Sequence, residues 1–257
     1  MKKYFAFAKV VLKEQFQGVA DKLGTVFSFS LHIVIFSFLW DFVIANETMA
    51  GYTRNELIWY VIMAEAVLYS FHYYYRKVAT KVEMGDFAYD MTKPYNFLVR
   101  TIVEGMADLP MTVILILTGG VLGIIFAGTF EITLMEVVIC VIIMLMSAVI
   151  LLLLNIIIGL LSIWLGRDVS SVWLLAQKAM LIFAFTPIEF FPGNVQKFLL
   201  LLPTTHVIYT PSSLFVHFSK EKCIASILGV GISFIVLSVV LFVIYKKGVK
   251  KQNVNGI

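Results

Sequence analysis

Charge is what this sequence has least of. Asp, Glu, Lys and Arg make up 14% of its 257 residues, where about 25% is usual in a soluble domain. Apolar residues make up 60% and mean hydropathy is +0.93, so too little polar surface remains to coat a soluble particle of 29.0 kDa. The chain is therefore a bilayer protein. That excludes a soluble enzyme and a secreted disulfide scaffold. Cysteine is equally sparse: Cys140 lies inside an apolar run and Cys223 far along the chain, which is no disulfide framework and leaves the redox compartment open. Reactive motifs are missing as well. There is no GxxxxGK[ST] phosphate loop, no HExxH, no CxxC and no GxSxG elbow, and His32, His72, His206 and His217 show no metal-ligand spacing.

Long uncharged runs are what the sequence does have. Counted against the ~20 residues needed to cross a hydrocarbon core, six candidates emerge: Gly24 to about Ala45, Leu57 to Tyr75, about Ile102 to Ala127, about Leu134 to Leu165, Ser171 to about Phe185, and Ile224 to Tyr245. The expected fold is an all-α integral membrane domain of six transmembrane helices covering 1–257. The fourth run overshoots a ~30 Å core and must tilt, protrude or break. The charged leader and the length of the first run argue against a cleaved signal peptide, so the first span is expected to be retained.

Lysine and arginine placement gives orientation. Residues 1–23, the segment 76–100, Arg167 and the tail after Tyr245 hold the bulk of the basic residues, whereas the alternate segments hold only Arg54, Lys197, Lys220 and Lys222. Both termini are thus expected in the cytoplasm of a multi-pass cell-membrane protein. The same bias accounts for the net charge of +4 and pI of 8.9 without nucleic acid as a partner.

Three segments are not simple spans. The leader 1–23 carries Tyr4, Ala8, Leu12, Phe16, Val19 and Leu23 at helical spacing, which fits an amphipathic interfacial helix against membrane lipids or a helix packed on the bundle. The cytoplasmic stretch 76–100 holds Phe87, Tyr89, Met91 and Tyr95, which need cover from a partner or from the bundle itself. Its Gly85 and Asp86 signal a break, so it reads as a short helix, a turn and a second short element. The segment 187–218 contains Pro187, Pro192, Pro203 and Pro211 and an apolar run too short to cross. It reads as an external re-entrant helical hairpin between spans 5 and 6, capping the bundle.

Among intramembrane ionisable groups, His32, Glu65 and Lys178 each lie roughly 10 to 13 Å deep at 1.5 Å per residue. They form a candidate polar cluster. A Glu65 to Lys178 ion pair could hold helices in register, or the three could line a substrate path. Gly119, Gly123 and Ala127 form a small-residue stripe for close helix approach, with its partner unread.

The amphipathic leader before six spans, GDFAYDMTKPYNF after the second span, and PIEFFPGNVQKFLLLLPTTHVIYTP before the sixth together resemble the permease subunit of an ABC-2 type ATP-binding cassette transporter. The similarity is to small bacterial permeases that pair with a separate ATPase. The resemblance implies a homo- or heterodimer of permeases with two cytoplasmic ABC ATPase subunits. ATP and Mg would bind on those partners, with no cofactor or catalytic residue in this chain. It further implies that Val82, Glu83, Met84, Gly85 and Asp86 form an ATPase-coupling helix, and that the direction is export of a hydrophobic or amphipathic substrate. The rivals are an integral-membrane immunity or scaffold protein and a membrane enzyme, the latter short of a nucleophile.

Overall fold

The computed structural model describes residues 7, 10, 11, 19–44, 48–71, 74–129, 131–166 and 169–254. In chain order the helices are α1 (Val19–Val43), α2 (Arg54–Leu68), α3 (Tyr74–Glu83), α4 (Asp86–Met91), α5 (Phe97–Met106), α6 (Leu109–Phe126), α7 (Leu134–Leu160), α8 (Ser162–Leu165) and α9 (Val169–Phe185). A 3-10 turn (Ile188–Phe190), α10 (Gly193–Leu199), α11 (Pro203–Val216) and α12 (Lys220–Val254) complete them. Among the described residues the only strand-like pairing is a bridge between Met49 and Tyr52.

Four stretches are long and apolar enough to cross a membrane: Val19–Val43, Phe97–Phe126, Leu134–Leu165 and Lys220–Lys251. The chain is thus a multi-pass membrane protein. The fifth expected span is a helix of 17 residues, α9, which starts two residues earlier than anticipated. The second is shorter than anticipated: α2 has 15 residues, so it covers roughly 22 Å at 1.5 Å per residue, less than a ~30 Å core. The second apolar run is not one helix: it breaks after Leu68 and resumes at Tyr74. Most of the expected interfacial leader lies outside the described residues, and Val19 to Leu23 form the first turns of α1.

Capping fixes where the bundle helices begin. Thr53 and Glu56 form a capping box at α2, and Thr133 and Glu136 form another at α7, each pairing off two otherwise orphaned N–H donors. Helix α7 ends in a tightened turn. The Leu161 N–H is shared between the Ile157 and Ile158 carbonyls at 3.1 Å each, the Ser162 hydroxyl donates to the Gly159 carbonyl at 2.7 Å, and α8 stops at Gly166 with φ +58°. The overlong fourth run therefore stays one stretch from Leu134 to Leu165, tightened at Leu161 where α7 passes into α8.

Helix α2 is the centre of the domain. Every residue from Leu57 to Leu68 is buried, surrounded by α1, α6, α7, α9 and α11. The small-residue stripe of α6 faces it within the same chain: a side chain at Gly119 would meet Ile62 and Phe29, and one at Gly123 would meet the Trp59 ring. Glycine there makes room for the side chains of α2: a Cβ at Gly119 would lie 2.6 Å from Ile62, and one at Gly123 nearer still to the Trp59 ring.

Candidate functional site

The end of the bundle richest in Lys and Arg carries a compact polar platform. Helix α3 ends at Glu83, the chain turns through Gly85 at φ +80°, and α4 starts at Asp86. A left-handed backbone of this kind favours glycine. Behind the turn, Asp90 and Glu104 are both buried and both bonded. Arg100 reaches Asp90 at 2.8 Å and Glu104 at 2.6 Å, Lys81 reaches Glu104 at 2.6 Å, and the Tyr95 hydroxyl donates to Asp90 at 2.6 Å. Burial first, and then this bond to Asp90, push the Tyr95 phenol above the ordinary tyrosine value. It stays a donor at neutral pH. One guanidinium thus clamps α4 to α5, and α5 to α3 through Glu104, with the two forks of its planar donor set.

On this platform the anticipated coupling residues separate into two groups. Val82 is buried, whereas Glu83, Met84, Gly85 and Asp86 are exposed, Met84 at 75%. The cover expected for the aromatic residues is partly internal: Phe87 is fully buried between Phe97, at 4.8 Å, and Tyr245, at 6.2 Å. Tyr89 remains 62% exposed beside Met84's turn.

The expected trio of His32, Glu65 and Lys178 does not assemble. His32 Nδ1 lies 3.5 Å from Glu65 Oε2 and 3.0 Å from the Tyr69 hydroxyl. Glu65 is fully buried, and its Oε1 has no hydrogen-bond partner among the described residues. Lys178 faces outward from α9 and forms no ion pair with Glu65. On α9 the buried stripe holds Trp173, Met180, Phe183 and Ala184, which turns Lys178 away from α2. The imidazole side chain is 41% accessible, and stacking of Phe36 on Phe185 at 3.9 Å joins α1 to α9 one turn further along.

The four prolines mark the ends and the middle of short elements. Pro187 precedes the 3-10 turn, Pro192 caps α10, Pro203 opens α11, and Pro211 lies inside α11. Helices α10 and α11 meet at 110°. Pro211 lacks an N–H, and hydroxyls serve the carbonyls around it, Ser212 donating to Ile208 at 2.8 Å. Helix α11 is buried from Val207 to Val216 and bound to its neighbours, with Ser147 donating to the His206 carbonyl at 3.1 Å and His217 3.3 Å from Glu56.

Two groups escaped the sequence reading. Asn155, buried in α7, accepts the Tyr75 N–H at 3.1 Å and so supplies the first turn of α3 after the break in the second run. Glu189 accepts from the Tyr209 hydroxyl at 2.6 Å beneath the α10–α11 bend. A lone polar residue within an apolar run was the only signal for Asn155. Among the described residues no three His, Cys, Asp or Glu side chains gather as a metal would require.

A family model described as "ABC-2 family transporter protein" matches residues 27–256. No curated protein matches the chain.

Proposed function

The chain belongs to the ABC-2 family of transporter proteins, and on that premise we propose that it is the permease subunit of an exporter driven by a separate ATPase. The carrying observation is the platform at the basic end. Its turn is held rigid from behind by Asp90, Arg100 and Glu104, while Met84 and Tyr89 stand clear of the chain's own core. An apolar tip on a braced, charged base is suited to seating in a groove of a cytoplasmic ATPase and to passing its closure into α3 and α5.

In this reading the basic end is cytoplasmic, both termini lie there, and the chain crosses the cell membrane six times. The second span is α2, α3 begins the cytoplasmic platform after the break that Asn155 serves, and the pair α10–α11 is a re-entrant hairpin. In support, Glu189 just before the hairpin meets Tyr209 within it, and the hairpin's end at His217 meets Glu56 at the start of α2.

Transport runs along the face shared by α1 and α9. Lys178 is exposed there, and the His32 imidazole is 41% accessible beside buried Glu65; charge facing lipid at mid-depth is costly. A second permease subunit across this face, with a polar path between, removes that cost. The substrate class is amphipathic. A photocrosslinking residue at position 84 tests the docking: it is expected to capture the ATPase subunit, while the same residue at position 201, at the far side of the hairpin, does not. Capture at 201 and none at 84 would contradict the reading.

A further inference from the structure

A crevice of about 430 Å³ opens between α6 and α7 in the half of the bundle remote from the basic end. Trp59 and Met63 of α2 form its back, Leu117 and Val121 one wall, and Val141 and Met144 the other. Apart from the Thr129 hydroxyl, its only polar side-chain group is the Trp59 indole N–H, which already donates to the Gly128 carbonyl at 3.0 Å. At its upper rim Arg54 donates to the Phe126 carbonyl at 3.1 Å, so the polar boundary lies just above an apolar slot.

We propose that this crevice binds one acyl chain of a membrane phospholipid, entering sideways from the leaflet remote from the basic end. Three observations carry this. The walls pass without interruption into outward-facing apolar residues, Ile124 on α6 and Val138 and Ile142 on α7, so the slot opens onto hydrocarbon. It falls within the ~300–1,000 Å³ of ordinary ligand pockets. At Gly120, which lines the crevice, a Cβ would meet nothing within 4 Å, whereas Gly119 and Gly123 on the same helix are packed against α2. The crevice is open to the surrounding hydrocarbon along the exposed Ile124, Val138 and Ile142, and the solvent that fills it there is an alkyl chain. The site lies away from the α1–α9 face and stands independently of the transport reading.

The test uses the full chain with Trp40, Trp164 and Trp173 replaced by Phe, leaving Trp59, reconstituted in phosphatidylcholine vesicles with or without bromine on the acyl chains. Contact predicts that Trp59 emission is quenched by the brominated lipid and that Gly120→Leu, which fills the slot, removes most of that quenching. No quenching, or equal quenching with and without the leucine, overturns the proposal. So does disulfide cross-linking between two copies through Val121→Cys, which would put a second chain over the slot. Should the tryptophan replacements fail to fold, phospholipid retained per chain after detergent purification of otherwise native protein decides: Gly120→Leu is expected to retain one fewer, and an equal count overturns the proposal.

Discussion

The Asn155 carboxamide accepts the backbone N–H of Tyr75 at 3.1 Å across 80 residues of sequence, and donates to the Leu151 carbonyl at 3.0 Å. A helix that stops at Leu68 and restarts at Tyr74 inside an apolar domain leaves N–H groups without helical partners. Asn155 serves one of them. It holds the break open at a fixed place and sets where α3, and with it the platform, projects.

Asn155→Leu should therefore destabilise the protein by about 1–3 kcal/mol, the cost of a buried donor left unmet. Thermal unfolding in detergent measures it. A melting temperature equal to that of the unsubstituted chain would remove Asn155 from the account.

Two glycines should respond oppositely to the same substitution. A Cβ at Gly159 would come 2.8 Å from the Tyr75 carbonyl oxygen, while one at Gly120 meets nothing within 4 Å. Gly159→Ala is expected to cost about 1–3 kcal/mol through overpacking, and Gly120→Ala to be neutral or to gain up to about 1 kcal/mol of helix propensity. Equal effects in the same unfolding assay would contradict the packing of α3 on α7.

Glu65 should couple to His32 and not to Lys178. The first pair lies at 3.5 Å, and the lysine faces outward. In double-mutant cycles, Glu65→Gln with Lys178→Met should be additive in stability within about 0.3–0.5 kcal/mol, whereas Glu65→Gln with His32→Gln should not be. Lys178→Met should impair transport with the fold intact. Strong stability coupling between Glu65 and Lys178 would restore the ion pair.

The hairpin can be tested by thiol labelling in a chain whose Cys140 and Cys223 have been replaced. Asn194 is exposed and Thr205 fully buried, so Asn194→Cys should react with an impermeant reagent from outside the cell, and Thr205→Cys should not react in the folded protein. Reaction of Asn194→Cys only after permeabilisation would invert the orientation.

How much of this was readable in the sequence depends on the kind of signal. Gly85 followed by Asp86 announced the turn because a glycine break is local, and the prolines of 187–218 announced short elements for the same reason. Glu65 and Lys178 were matched in depth, which rise per residue supplies. Their directions depend on which stripe of a nearly uniformly apolar helix is buried, and hydropathy gives α9 no strong preference. The break after Leu68 had neither glycine nor proline to mark it. Its cause, Asn155, sits 80 positions beyond Tyr75 and becomes visible only once α3 lies against α7. Of the two covers the sequence leaves open for Phe87, a partner or the bundle, the bundle supplies it through Phe97 and Tyr245.

The central claim is that the turn at Met84 to Asp86 couples this chain to an ATPase, and Met84→Asp tests it most directly. Met84 supports nothing within its own chain, being 75% exposed, so the substitution should leave insertion and melting temperature unchanged. The account predicts that the purified permease then binds its ATPase subunit more weakly and no longer stimulates ATP hydrolysis in reconstituted vesicles. Unchanged affinity together with unchanged stimulation would contradict it.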